Sequence, residues 1–479
     1  MYLKQQVFLV LGLSRSGSAA AEFLLSQKAS VYVYDDIESD RVEQTGQALE
    51  NKGARRIKKG EIDKVIDGCD VLVLSPGIPI DHPVAVAFKK AGKSVVGESE
   101  LAARYLKGTT IAVTGTNGKT TTVSMLTQVL QKGGLDAQSC GNIGTPMLSL
   151  YPMKEEQVAV AEISSFQMET LNSLRPHIAM ILNITEDHLN RHYNMENYVF
   201  LKRKLLKNLS EAEFAVLNYD DTIVRSFAEK IKAKVLYFSV RERVNGAYYE
   251  SGALYFGKEK IMNLSDLSTG GIHNVQNALA TIIAAKLMGV STQDIASALS
   301  DFKGVNHRVE FIAEIEGVRF VDDSKGTNVD ATLKAVAAVD TETVLLLGGK
   351  DKGYDYDKLF NGLKRSKVTH AILYGENRFK LFESARRMGF ISITLCENFS
   401  FAVQIAHIKA SRGQTVLLSP ASASFDEFAS YEERGEKFVE IIRSFTQEET
   451  AQADVARGKL DGLENNRDDG AETVDTQTE

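Results

Sequence analysis

Residues 111–122 read IAVTGTNGKTTT, an apolar run followed by Gly115, Gly118, a lysine and three threonines, and then by a helical pattern over 123–131. A strand that turns through glycines into a helix points its first backbone N–H groups at one spot, where the helix dipole also favours negative charge. Lys119 adds a mobile cation for β- and γ-phosphates, and Thr120 offers a hydroxyl to magnesium, a hard ion that takes oxygen ligands. Gly115, Thr116, Asn117, Gly118, Lys119, Thr120 and Thr121 therefore form the candidate nucleotide site, with ATP or GTP as occupant. The usual eight-residue phosphate loop wants glycine at position 113, where this chain has valine, so the loop is a shortened variant. A turn with no ligand would not call for Gly-Lys-Thr-Thr at a helix start.

The same strand-to-helix grammar repeats along the chain and predicts an α/β fold with mostly parallel sheets in three blocks. The first begins with a strand over 7–11, the turn GLSRSG, a helix over 18–27 and a strand over 30–34 that ends in Asp35 and Asp36. The second runs from the phosphate loop through VAVAEISSF, IAMILNIT and FAVLNYDD to a hairpin near 248–256. The third opens near residue 306 with the hairpin FIAEIEGVRFVDDS and continues through TVLLLGG, HAILYGEN, ISITL and TVLLSP. The unusual polar clusters mostly follow the carboxyl ends of these apolar runs, which is the ligand-binding edge of open α/β sheets. The functional edges of the three blocks are therefore expected to face one shared space.

Composition excludes several classes. With 43% hydrophobic and 25% charged residues the 479-residue chain is that of an ordinary globular protein. Residues 447–479 hold ten acidic and three basic residues, so this tail carries the whole formal charge of −7 and the remainder is balanced. A balanced body gives no support to nucleic-acid binding, and the polar tail is expected to be disordered. No run approaches the roughly 20 apolar residues that span a bilayer. The N-terminus runs straight into a strand and a glycine turn, so a cytoplasmic chain without membrane insertion is expected. Cys69, Cys140 and Cys396 are odd in number and far apart, which suits buried thiols better than a disulfide or a metal set.

Four further motifs carry chemistry. GLSRSG fits a dinucleotide fingerprint except that Ser14 replaces the second glycine, and Asp35 stands eighteen residues after Gly17 where a ribose partner is expected. NAD and other diphosphonucleosides are both compatible with it. AEISSFQME places Glu162 where a carboxylate can join Thr120 on magnesium, while Glu162 or Ser164 could instead cap the next helix. ITEDHLNRH gathers Asp187, His188 and His192 in one loop, with no recognised zinc spacing. YVFLKRKLLKN reads as a charged amphipathic helix with a solvated basic face. HRVE, VDDSKGTN and GGKDKG mix cations with loop-forming residues in a way that suits phosphates or carboxylates.

Taken together, GTNGKTT, NIGTP, AEISSFQ, TEDHLNRH, HNVQNALA, NHRVE, DDSKGTN, LGGKDKG and SPASASFDEF resemble the Mur ligases, of the MurD type. The resemblance runs in order through about residues 1–446. It implies a UDP-substrate domain over 1–97, an ATP-binding domain with a P-loop ATPase-like sheet over 98–305 and an amino-acid domain over 306–446, the first and last Rossmann-like. The implied activity is ATP-dependent joining of UDP-N-acetylmuramoyl-L-alanine to D-glutamate through an acyl phosphate, for peptidoglycan precursors, by a monomer. Lys119, Thr120 and Glu162 match the family's phosphate and first magnesium ligands, and His188 a second-magnesium ligand. Lys202 matches a lysine that carbon dioxide carbamylates and that then also serves the metal. Asn274, Arg308 and Asp323 match adenine-side, γ-phosphate and ribose contacts. Ser14, Asp35 and Ser75 match UDP positions, and Asn142 and Ser164 positions on the substrate side. Lys325, Thr327, Lys352, Ser424 and Phe425 match the D-glutamate cluster. A folylpolyglutamate synthetase shares the GTNGK loop but not the block before it, and a dehydrogenase would leave that loop unexplained.

Overall fold

The computed structural model describes residues 3–58 and 60–445, and the acidic segment 447–479 lies outside them. One compact unit runs to Val305 and a second begins at Asn306.

The first unit holds two sheets. The N-terminal sheet contains β1 (Val7–Leu11), β2 (Ser30–Tyr34), β3 (Arg55–Arg56), β4 (Val71–Leu74) and β5 (Ser94–Val96), all parallel in the order β3-β2-β1-β4-β5. Phe8 to Leu11 and Val71 to Leu74 are buried throughout, as expected for strands covered on both faces. Strand register brings the polar positions together: Leu11 pairs with Tyr34 on one side and Leu74 on the other, so Gly12, Asp35 and Ser75 leave the sheet at the same edge. The helix after β1 starts at Arg15 rather than at 18, because Ser14 takes the N-cap position in extended conformation and the turn is tighter than its spacing suggests. Gly17 thus lies in the first helical turn, where a Cβ would sit 1.8 Å from the Gly12 carbonyl oxygen.

The central sheet has nine strands: β6 (Thr109–Thr114), β7 (Ala137–Gly141), β8 (Val158–Glu162), β9 (Ile178–Ile181), β10 (Phe214–Asn218), β11 (Lys234–Ser239), β12 (Gly246–Glu250), β13 (Ala253–Phe256) and β14 (Glu259–Asn263). Their order is β14-β13-β12-β11-β10-β9-β6-β8-β7, parallel except for the antiparallel β12-β13-β14 meander. Again the register gathers the functional ends: Val113 pairs with Glu162, Glu162 with Gly141, and Thr114 with Ile181. Helices Lys119–Lys132 and Ile272–Leu287 bury Val123, Leu126 and Leu130 with Val275, Leu279 and Ile282 over one face. The core on the other face continues without a break into the N-terminal sheet, from Ala161 and Leu205 through Met147 and Leu148 to Phe23 and Leu24.

The second unit is a six-stranded sheet of β15 (Glu310–Ile315), β16 (Val318–Asp322), β17 (Thr343–Gly348), β18 (Val368–Tyr374), β19 (Ile393–Leu395) and β20 (Thr415–Leu418), ordered β15-β16-β20-β17-β18-β19. Only the β15-β16 hairpin is antiparallel. Asp322 pairs with Leu418, and Leu418 with Leu346, so the DDSKGTN, SPASASF and GGKDKG segments also leave at one edge. The three cysteines are free and buried. Among the described residues, no helix is long and apolar enough to cross a membrane.

One ionisable group lies buried where the two sheets of the first unit share their core. Glu98 accepts hydrogen bonds from the Leu148 backbone N–H at 2.6 Å and the Ser99 hydroxyl at 3.1 Å. Burial nonetheless pushes its carboxyl up to about 7, with the bonds from Leu148, Ser99 and Met147 pulling the other way. The folded chain thus holds a proton that the unfolded chain releases, and stability from this group falls as pH rises from the ordinary glutamate range through about 7. A Glu98→Gln variant carries no such slope. Urea unfolding of the wild type and the variant at pH 5 and pH 7.5 should show the wild type losing ground to the variant by as much as about 3 kcal/mol. A difference that stays constant with pH would refute the assignment.

Candidate functional site

The phosphate loop forms as the sequence predicts, with the helix starting directly at Lys119 rather than at 123. Gly118 takes its N-cap at φ +87°, a left-handed conformation that glycine adopts without strain. A Cβ there would also lie 2.4 Å from Asn277 Oδ1. The loop is braced from outside: Asn117 N–H donates to Asn183 Oδ1 at 2.8 Å, and Asn183 Nδ2 donates to the Asn117 carbonyl at 2.9 Å. Thr122 Oγ1 donates to Asn277 Oδ1 at 3.3 Å, and Asn277 Nδ2 to Asn274 Oδ1 at 3.3 Å, which links Asn274 to the loop. Lys119 Nζ folds over the loop, donating to the carbonyls of Gly115 at 2.9 Å and Thr116 at 2.7 Å.

Thr120 and Glu162 come together as expected: Thr120 Oγ1 donates to Glu162 Oε2 at 2.8 Å, both buried. The other carboxylate oxygen accepts from Asn142 Nδ2 at 2.8 Å. Hydroxyl, carboxylate and amide oxygen are hard donors of the type magnesium takes, so this set fits that ion. Ser164 does cap the next helix, in a capping box with Gln167 that engages its hydroxyl at 2.9 Å.

The expectation of a solvated basic face on the helix Met195–Arg203 is overturned at Lys202, which is 1% exposed. Its Nζ donates to the Gly115 carbonyl at 2.7 Å and lies 4.6 Å from the Tyr198 ring centroid. Burial first, and repulsion from Lys119 second, pull its ammonium well below the ordinary lysine range, against the attraction of Asp187 and Glu162. Tyr198, one turn earlier, shares a 3.1 Å hydrogen bond with the Thr116 hydroxyl, which in turn donates to the Thr185 carbonyl at 3.0 Å. Helix and loop are thus locked together around the amine.

The TEDHLNRH loop divides its titratable groups. His188, at φ +55°, has Nε2 3.5 Å from Asp187 Oδ2, and its ring packs edgewise on Phe166 at 4.8 Å. His192 is buried against the Ser165 hydroxyl at 2.9 Å, and burial lowers its pKa to about 4, which suits a neutral packing role. In the N-terminal sheet, Asp35 accepts from the backbone N–H of Leu13 at 2.7 Å and of Ile37 at 2.9 Å, and Ser75 Oγ donates to the Gly12 carbonyl at 2.9 Å. Both shape the GLSRSG turn, from which Ser14 leads into the helix. A cavity of about 800 Å³ opens beside Leu13, Asp35 and Ile37.

In the second unit, Asp323 is fully buried, accepts from Ser419 Oγ at 2.7 Å and faces the Arg308 charge. Burial raises its carboxyl to about 7 even so. His307, beside Arg308, holds Asp322 at 2.7 Å, a contact that raises its pKa. Lys325 Nζ meets the Tyr431 hydroxyl at 2.9 Å, and Lys352 Nζ the Thr327 carbonyl at 3.2 Å. Ser424 is buried, and the neighbouring Phe425 is 69% exposed. These segments are fastened by Arg434, which sequence reading missed: its guanidinium is fully buried and donates to Ser324 Oγ at 2.9 Å, to the Ser324 carbonyl at 2.7 Å and to the carbonyls of Ser422 and Ala423 at 3.3 Å. Asn183 and Asn277 were missed as well. Asn277 sits three residues after Asn274 in a helix, the spacing that shares a face, and that was the available signal.

Fold and site define a nucleotide-binding α/β enzyme in which a glycine loop, two lysines and a carboxylate meet. Comparison with known proteins agrees. Residues 6–97 match the Mur ligase MurD-like N-terminal domain, 113–285 the Mur ligase middle domain and 307–422 the Mur ligase glutamate ligase domain. A UDP-N-acetylmuramoylalanine–D-glutamate ligase of Thermoanaerobacter sp. (strain X514) is 41% identical over 454 residues, covering 92% of this chain and 99% of that protein. Its counterpart in Clostridioides difficile (strain 630) is 38% identical over 450 residues, covering 93% and 100%. Two solved structures share the fold: UDP-N-acetylmuramate-alanine ligase MurC from Thermotoga maritima has a TM-score of 0.61 at 20% identity, covering 92% of this chain and 99% of that one. MurF ligase from the same organism, in complex with ADP, has 0.57 at 18%, covering 92% and 95%. The chain belongs to the Mur ligase family, of the MurD type.

Gly118→Ala tests the loop. It forces a left-handed backbone on alanine and drives a methyl group into Asn277, so some stability is lost and nucleotide affinity, measured by calorimetry at a temperature where the variant is folded, should fall by on the order of tenfold or more. Unchanged affinity would show that the loop does not hold the nucleotide.

Proposed function

We propose that this chain joins UDP-N-acetylmuramoyl-L-alanine to D-glutamate with ATP, and that the group formed by the half-buried Lys119 and the buried Thr120, Glu162 and Lys202 at the glycine loop is where ATP reacts. The observation that carries the reading is the Thr120 to Glu162 hydrogen bond beside the doubly bonded Gly115 carbonyl, in a chain 41% identical to a ligase of that name. The terminal carboxylate of the muramoyl-alanine attacks the γ-phosphorus, an O–P bond forms, and ADP leaves with the electron pair of the broken bond. The amine of D-glutamate then attacks the acyl carbon; phosphate departs and the nitrogen loses a proton. Phosphoryl transfer between anions needs positioning and positive charge rather than covalent help from the protein. Loop N–H groups and Lys119 supply that charge to the β- and γ-phosphates. When bound, magnesium supplies further charge neutralisation, and Thr120, Glu162, His188 and Lys202 are the residues we assign to two ions.

Lys202 fits this assignment only in a modified form. Burial and the charge of Lys119 disfavour the ammonium form of this amine and so favour the neutral, nucleophilic one. Its lone pair adds to the carbon of CO2, an N–C bond forms, one C=O electron pair moves to oxygen, and a proton leaves, giving an anionic carbamate whose oxygens suit a hard cation. Asn274, Arg308 and Asp323 are assigned to the nucleotide, and Ser14, Asp35, Ser75, Asn142 and Ser164 to the UDP-linked substrate. Lys325, Thr327, Lys352, Ser424 and Phe425 are assigned to D-glutamate, whose two carboxylates the lysines would pair. The proposed domains are 1–97, 98–305 and 306–446, in a monomer acting in the cytoplasm.

Phosphate release from ATP with UDP-N-acetylmuramoyl-L-alanine should require D-glutamate and remain low with L-glutamate, L-lysine or meso-diaminopimelate; a preference for any other amino acid would overturn the assignment. Lys202→Ala should lower turnover by on the order of a hundredfold or more. Added formate or acetate should restore part of it, and no rescue at any concentration would count against the carbamate.

A further inference from the structure

Two residues of the segment 185–193 make contacts that the ligase reaction does not use. Arg191 Nε and one terminal nitrogen hold both oxygens of Glu169, at 2.9 and 2.6 Å, and the guanidinium lies 5.1 Å from the centroid of the Phe166 ring. Phe166 is also the ring on which His188 packs. The same guanidinium donates to the carbonyl of Ile78 at 2.8 Å and, at 3.4 Å, to those of Pro76 and Gly77. Those carbonyls belong to the segment after Ser75, whose hydroxyl is tied to Gly12 in the GLSRSG turn. Two residues beyond Arg191, the Tyr193 hydroxyl donates to Asp81 at 2.6 Å, so the segment is tethered twice.

The backbone between these tethers is strained. His188 and Tyr193 flank the short helix Leu189–His192 at φ +55° and +67°, a region that is unfavourable for a residue with a side chain and persists only where surroundings enforce it. Glu169 and the carbonyls of residues 76–78 are the enforcing groups. A guanidinium suits this task because its planar fork meets a carboxylate with two parallel bonds and leaves further N–H groups for the carbonyls. A lysine could reach one side only.

We propose that Arg191 is a positioning residue that ties the loop carrying His188 to the segment after Ser75, so that filling the UDP-substrate site and filling the magnesium–nucleotide site reinforce each other. The proposal rests on the ligase reading for the identity of both ligands. Coupling of this kind is reciprocal, and such couplings commonly amount to 5–150-fold in affinity. Arg191 is assigned to neither ligand, which separates its effect from loss of a contact.

The test is calorimetric and needs no turnover. Binding of a magnesium complex of a non-hydrolysable ATP analogue is measured with and without UDP-N-acetylmuramoyl-L-alanine. The wild type, Arg191→Ala, Arg191→Lys and Tyr193→Phe are compared, with Arg175→Ala as a control that removes a surface pair with Glu213. The wild type and the control should bind the analogue at least about fivefold more tightly when the UDP substrate is present. Arg191→Ala and Arg191→Lys should both lose most of that gain, Tyr193→Phe should keep part of it, and each should bind the analogue alone with an affinity within about twofold of wild type. Should Arg191→Ala fail to fold, Tyr193→Phe carries the test, since it removes one exposed hydroxyl. An equal gain in all proteins, or none in the wild type, overturns the coupling. If the wild type binds no UDP-N-acetylmuramoyl-L-alanine at all, the ligase reading itself fails, a result distinct from the first two.

Discussion

The carbonyl oxygen of Gly115 accepts hydrogen bonds from two lysine amines, Lys119 at 2.9 Å and Lys202 at 2.7 Å, and the site is arranged around that crowding. Two ammonium groups cannot share one acceptor cheaply where one is fully buried, because desolvation and mutual repulsion both disfavour the second charge. The buried partner gives way, so Lys202 is drawn towards the neutral amine while Lys119 keeps the position facing the loop. Everything that holds Lys202 there, from Tyr198 on Thr116 to Thr116 on Thr185, also fixes the loop that faces the phosphates. The charge that burial disfavours on Lys202 thus lies close to the oxygen set of Thr120 and Glu162.

Sheet register places that chemistry. Parallel strands pair so that Val113, Glu162 and Gly141 are neighbours, and the residues just beyond them, including Asn142 and the phosphate loop, must emerge together. The same rule brings Gly12, Asp35 and Ser75 to one edge of the first sheet, and Asp323, Gly349 and Ser419 to one edge of the last. Strand interiors are apolar because helices cover both faces, so polar function is confined to the strand ends.

Local patterns therefore carried most of the fold and the heart of the site. The strands at Val7–Leu11 and Ser30–Tyr34, both hairpins and the Thr120 to Glu162 pairing were legible because each depends on a short run of residues and on the rule of strand ends. Lys202 was not legible from physics, since YVFLKRKLLKN offers several cations and periodicity does not say which one turns inward; only resemblance singled it out. Asn277 and Arg434 escaped notice because their partners are remote in sequence, 155 residues away for Thr122 and 110 for Ser324, and Arg191, visible in the TEDHLNRH motif, gave no sign of its tie to Ile78, 113 residues away. Asp35 shows a subtler limit: its position was read correctly, while its carboxylate also braces the turn that it was expected only to adjoin.

Catalysis of the proposed kind turns on a carboxylate that is activated by taking the γ-phosphoryl group of ATP. The most direct measurement uses UDP-N-acetylmuramoyl-L-alanine labelled with ¹⁸O in both oxygens of its terminal carboxylate, with the released phosphate examined by mass spectrometry or ³¹P NMR. Activation through an acyl phosphate predicts one ¹⁸O in each phosphate formed, in step with amide formation. Unlabelled phosphate accompanying the same amount of amide would contradict it.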